Sequence, residues 1–182
     1  ISIAGDPVDF PINYHHPYLL NGDKRSLKRE LSNDIQYLII CSSQYKNAAE
    51  SLASMHSTEV IDSMILNTEV IITDSISTNI NGMDIRNYIL GRINDDLLDN
   101  NLDLKFLLLF GDENDIPPIY DSNGDYPSDD FYSTVNIDSG DPQLFSGRIP
   151  VSTKEDAWVV IEKIKQYTLH PTPGIWRSKV VL

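Results

Sequence analysis

Phe106-Leu-Leu-Leu-Phe110 is an unbroken apolar run, bounded by Lys105 before it and Gly111-Asp112 after it. A strand that is apolar at every position must be covered on both faces, as a central parallel strand is and a half-solvated antiparallel one is not. The flanking sequence supplies the covers. Tyr37-Leu-Ile-Ile40 is a second bounded run, followed by Ser42-Ser43 as helix caps and by Tyr45, Ala48, Ala49, Leu52 and Met55 on one face of a helical period. Val70-Ile-Ile-Thr73 is a third run, rich in β-branched residues. After it Ile85, Tyr88, Ile89, Ile93 and Leu97 trace one helix face, with Asp84, Arg86, Asn87 and Asp95 on the other. Leu144 to Pro150 reads as a fourth strand. Ser152 with Glu155 three residues on forms a capping box that opens a helix with Ala157, Trp158, Ile161, Ile164 and Tyr167 inward. Pro171, Pro173 and Gly174 stop that helix, and Lys179 to Leu182 begins a fifth strand. The alternation predicts a three-layer, doubly wound α/β fold, with a mostly parallel sheet of four or five strands flanked by helices.

Residues 1–36 have a different grammar, with Pro7, Pro11 and Pro17, a Tyr14-His15-His16-Pro17-Tyr18 cluster and mixed charge from Asp23 to Asp34. They read as an arm or linker from an upstream domain. Residues 37–178 form the α/β unit, and 179–182 open the next one. The chain starts on Ile1 and stops inside an apolar run, so it is expected to be an excerpt of a longer protein. No apolar run approaches the roughly 18 residues that span a bilayer.

Charge narrows the chemistry. With 14 Lys+Arg against 27 Asp+Glu the formal charge is −13, which argues against nucleic acid, since phosphate neutralisation needs a basic stripe. Nine acids, Asp112, Glu113, Asp115, Asp121, Asp125, Asp129, Asp130, Asp138 and Asp141, lie between Lys105 and Arg148 with no base among them. Ligands of an open parallel sheet bind outside the carboxyl ends of its strands, which is where this stretch begins. Converging carboxylates there must be solvated, protonated or bridged by a cation, and calcium takes such oxygens. Asp112, Glu113, Asp129 and Asp130 are the candidate calcium ligands, against the alternative of a merely solvated acidic loop. Asp121-Ser-Asn-Gly-Asp125 fails the EF-hand spacing.

The single cysteine, Cys41, excludes an internal disulfide framework and a cysteine-built metal site. It ends the first strand, but a thiolate nucleophile needs a base nearby, and none of His15, His16, His56 and His170 falls at another strand end. A buried structural Cys is the better reading. A phospho-receiver is excluded by Cys-Ser-Ser where an acidic pair is needed. A Rossmann or P-loop site is excluded because no Gly lies between residues 23 and 81. Trp158 and Trp176 are assigned to core and interdomain packing.

An ordered series of segments resembles one family. Tyr37–Ile40 with its alanine-bearing helix, Ile85-Arg-Asn-Tyr-Ile89, Phe106–Asp112, Ile116-Pro117, Pro127-Ser-Asp-Asp-Phe-Tyr132, Pro142-Gln-Leu-Phe-Ser-Gly-Arg-Ile-Pro150, Lys163–Tyr167 and Trp176–Leu182 are similar to the gingipain family of caspase-like cysteine endopeptidases over residues 35 to 182. The resemblance implies two caspase-like subdomains in tandem, with the catalytic His of a His-Gly motif and the catalytic Cys both in the second. This chain resembles the first, non-catalytic subdomain. It contains no His-Gly pair, so no catalytic residue is carried over. The implied partners are the second, catalytic subdomain of the same polypeptide and a protein or peptide substrate. The implied location is secreted or cell-surface, and calcium is a cofactor of some relatives. Two alternatives stand beside this: a calcium-dependent binding or assembly module, and a degenerate peptidase used structurally. The stretch from His56 to Thr78 is longer and richer in Ser, Thr and Asn than the family's helix-to-strand link.

Overall fold

In the computed structural model, which describes residues 35–58, 65–98, 104–121, 123–134, 141–171 and 174, four parallel strands form one sheet. They are β1 (Tyr37–Cys41), β2 (Thr68–Ile72), β3 (Phe106–Phe110) and β4 (Phe145–Ile149), in the order β2-β1-β3-β4. Leu38 pairs with Leu107 and Ile40 with Leu109, so alternate residues of the two central strands line up on common faces. Leu38, Ile40, Leu107 and Leu109 face α3 (Gly82–Leu98) through Ile85, Ile89 and Ile93. Ile39, Cys41, Leu108 and Phe110 face α1 (Lys46–Thr58) and α4 (Lys154–Leu169). The central strands are therefore buried on both sides, as their unbroken apolar runs require.

The second strand begins and ends earlier than its β-branched run suggests, and Thr73 instead heads a short helix, α2 (Thr73–Ile76). Neither Ser42 nor Ser43 acts as a side-chain cap: Ser42 holds the N-cap position of a 3₁₀ turn (Ser43–Tyr45) without a side-chain bond. The cap of α4 lies one residue beyond the Ser152–Glu155 box. Thr153 Oγ1 accepts from the Asp156 backbone N–H at 3.1 Å and donates to Asp156 Oδ2 at 2.7 Å. Thr153→Ala is accordingly expected to lower unfolding free energy by about 1 kcal/mol in a urea titration, and Ser152→Ala to have no capping effect.

Two further expectations are corrected. Trp158 and Tyr167 are 42% and 61% exposed, because α4 packs along the Ala157–Ile161–Ile164 stripe, and both aromatics fall outside it. Arg86, expected on the solvent face of α3, is buried; its Nε donates to Phe131 O at 2.9 Å and its Nη2 to Thr134 O at 2.7 Å. Those carbonyls belong to the polar stretch between β3 and β4, which is not simply solvated. Ile116, Ile119, Phe131, Tyr132 and Leu144 enter the α3-side core. Tyr132 OH donates to Pro117 O, tying two parts of the crossover together. Trp176, the arm at residues 1–34, the strand at Lys179–Leu182, Asp138 and the side chains of Asp95 and Leu97 lie outside the described residues.

Candidate functional site

β1 and β3 are neighbours whose connections leave in opposite directions along the sheet, so the crevice for a ligand in such a fold lies beyond their carboxyl ends. Cys41, Ser42, Gly111, Asp112 and, from β4, Arg148 and Ile149 meet there.

Arg148 organises this edge. It leaves β4 with its side chain only 16% exposed and uses all five guanidinium N–H donors. Nε donates to Asp129 Oδ2 and Nη2 to Asp129 Oδ1, each at 2.7 Å, a bidentate ion pair. Nη1 donates to Gly111 O at 2.9 Å and Asp112 O at 3.2 Å, and Nη2 also to Ile116 O at 3.3 Å. Two segments remote from it in sequence, residues 111–116 and Asp129, thus converge on one cation. Gly111 makes this approach possible: its φ is +148°, and its N–H donates to Ile149 O at 3.0 Å. Beside it Gln44 Nε2 donates to Asp115 Oδ1 at 2.9 Å, linking the ends of β1 and β3.

Asp112, Glu113, Asp129 and Arg148 line a shallow cleft with Pro118, Pro127, Ser128 and Pro150. Asp130 does not join the other three candidate ligands in that lining; it lies exposed on the 3₁₀ turn Asp129–Tyr132. Asp112 Oδ1 accepts from the Asn114 N–H at 2.8 Å, and that bond, with the Ser152 hydroxyl, holds the carboxyl below its ordinary pKa. Among the described residues no group of three or more His, Cys, Asp or Glu side chains is placed to hold a metal ion. Both Asp129 oxygens already face Arg148. Asp112, Glu113 and Asp129 therefore line the cleft without converging on a common point, and Asp130 stands apart from them. The bridging cation of the edge is Arg148 itself. The sequence carried the signal, a lone base closing a run of nine acids at a strand end, but not the pairing of Arg148 with Asp129 rather than with its neighbours.

Cys41 is fully buried, and burial, then the Glu50 and Asp115 charges, push its thiol from 9.0 up to about 12. No base is near it. His56 packs edge-on against Tyr37, ring centroids 5.1 Å apart, at the opposite end of β1, about 13 Å from Cys41 at strand rise. His170 is the exposed C-cap of α4. The thiol is consequently inert in the native state. Labelling by an alkylating agent is expected to follow global unfolding, and fast labelling of native protein at pH 8 would contradict this burial. Because the unfolded thiol ionises near 9 and the folded one near 12, its contribution to stability is intact below pH 9 and is lost as pH rises toward 12.

The chain matches the model of peptidase family C25 over residues 30–182. Among solved structures it is similar to the Arg-specific cysteine proteinase gingipain R (RgpB), at 22% identity and a TM-score of 0.59, covering 76% of this chain and 29% of that one. The complex of Porphyromonas gingivalis RgpB pro- and mature domains matches at 23% identity and a TM-score of 0.56, covering 72% and 29%. Dimeric latent PorU from Porphyromonas gingivalis matches at 15% identity and a TM-score of 0.60, covering 79% and 16%. The chain thus spans less than a third of the length of each of these proteins. No curated protein matches it.

Proposed function

The chain belongs to peptidase family C25, the gingipain-like peptidases of caspase fold, and from that premise we propose that it is the non-catalytic first subdomain of a secreted or surface cysteine endopeptidase. The observation that carries this reading is the saturated Arg148 at the sheet edge. A guanidinium with all five donors bonded, set against a carboxylate and three backbone carbonyls, is a structural tie and offers neither nucleophile nor base. The only thiol is buried with a raised pKa, and among the described residues no histidine stands beside it. The subdomain's task is then to present a rigid edge and flank to the rest of the polypeptide. There a Cys thiolate with an assisting His attacks the peptide carbonyl, while backbone N–H donors stabilise the oxyanion. Protein or peptide is the substrate of that whole, and its side-chain preference is set outside this chain.

The test is direct. This chain alone should hydrolyse no panel of fluorogenic peptides, and its rate should stay at the buffer blank in both the wild type and Cys41→Ala. Hydrolysis that Cys41→Ala abolishes would overturn the proposal.

A further inference from the structure

Asparagine followed by glycine is the sequence most prone to spontaneous deamidation, because glycine has no side chain to shield its amide nitrogen from the preceding carboxamide. Two such pairs lie among the described residues, Asn81-Gly82 and Asn123-Gly124, and the fold treats them oppositely.

Asn81 precedes α3 and is bound into its first turn. Its Nδ2 donates to Asp84 Oδ2 at 2.8 Å, and its Oδ1 accepts from the Asp84 N–H at 3.0 Å. Gly82 is wedged in place: a Cβ there would lie 2.7 Å from Ile119 Cγ1 and 3.0 Å from Pro117 O. Neither the carboxamide nor the following backbone can swing into a five-membered ring without opening the cap. Asn123 and Gly124, by contrast, are exposed, and a Cβ on Gly124 would meet nothing within 4 Å. The Asn123 carboxamide makes no hydrogen bond to the described residues. What holds this loop is Asp121: its Oδ1 accepts from the Asp125 N–H at 2.6 Å and the Tyr126 N–H at 3.1 Å, and its carbonyl from the Gly124 N–H at 3.0 Å.

We infer that Asn123 is a site of spontaneous modification by deamidation, and that Asn81 is protected from the same reaction by its helix cap. In the step, the Gly124 N–H first leaves Asp121 O; solvent hydroxide then removes its proton, and the nitrogen attacks Asn123 Cγ. The N–Cγ bond forms, the Cγ–Nδ2 bond breaks, and ammonia leaves. Water then opens the succinimide at either carbonyl, leaving aspartate or isoaspartate. Both products place a new carboxylate between Asp121 and Asp125, in a stretch with no base from Lys105 to Arg148. The isoaspartyl form also lengthens the backbone by one methylene inside the loop that Asp121 gathers, loosening the closure between Tyr120 and Pro127.

The full chain, incubated at mildly alkaline pH and sampled by peptide mapping with isoaspartate detection, should convert at Asn123 at least about tenfold faster than at Asn81, the suppression expected where reaction requires a cap to open. The same chain unfolded in urea should convert at both positions at similar rates. Equal rates in the folded protein would overturn the inference. So would an intact Asn123 over a period in which the urea sample has reacted there.

Discussion

Arg148→Met is expected to lower the free energy of unfolding by about 2–4 kcal/mol, read as a drop in urea midpoint at unchanged slope. The substitution keeps an apolar stem of similar length but removes five donors at once. Asp129 is left a half-buried carboxylate without its counter-ion, and the carbonyls of Gly111, Asp112 and Ile116 lose their partner. The lower part of the range allows for Asp129, whose side chain is 36% exposed and recovers some hydration. Arg148→Lys is expected to recover less than half of the loss, since an ammonium supplies a point charge and three donors, not a planar fork. A midpoint within experimental error of wild type for Arg148→Met would show that the tie is a surface ornament.

Gly111→Ala is expected to be comparably damaging, at about 2–4 kcal/mol, by a different route. A φ of +148° is a conformation that L side chains rarely adopt, and the added Cβ would lie 2.7 Å from Asp115 Cβ. Relief requires Gly111 to rotate, which withdraws its carbonyl from Arg148 and its N–H from Ile149 O. The two substitutions therefore share one structural consequence. Their double mutant should lose less than the sum of the single losses, by at least about 0.5 kcal/mol, whereas strict additivity would mean that Gly111 and Arg148 act independently.

Much of the fold was legible because burial on both faces leaves a plain mark in sequence. The bounded runs at Tyr37–Ile40 and Phe106–Phe110 lie in central strands, and the stripes at Ala48, Ala49, Leu52 and at Ile85, Ile89, Ile93 face the sheet. Legibility fails where a residue's environment is set by a distant segment. Arg86 sits at a position that α3's own periodicity assigns to solvent, yet the crossover between β3 and β4 folds over it and presents two carbonyls. Trp158 and Tyr167 are apolar enough for a core, yet the contact line between α4 and α1 runs beside them. The acidic stretch shows the same limit at the candidate site. Counting charges located the excess of carboxylates, and only the placement of the Asp129–Tyr132 turn against β4 shows which one meets Arg148.

By itself the sequence determined the layers and the parallel sheet, because hydrophobic period and run length are local properties of the chain. It likewise located the lone thiol on a strand end without a histidine beside it. Tertiary structure decided what occupies the carboxyl edge of the sheet. Bidentate pairing and carbonyl coordination depend on the approach of Gly111, Ile116, Asp129 and Arg148 to within hydrogen-bond distance. That proximity belongs to no local pattern, so an edge that reads as a bare acidic loop is in the folded protein closed by its own arginine.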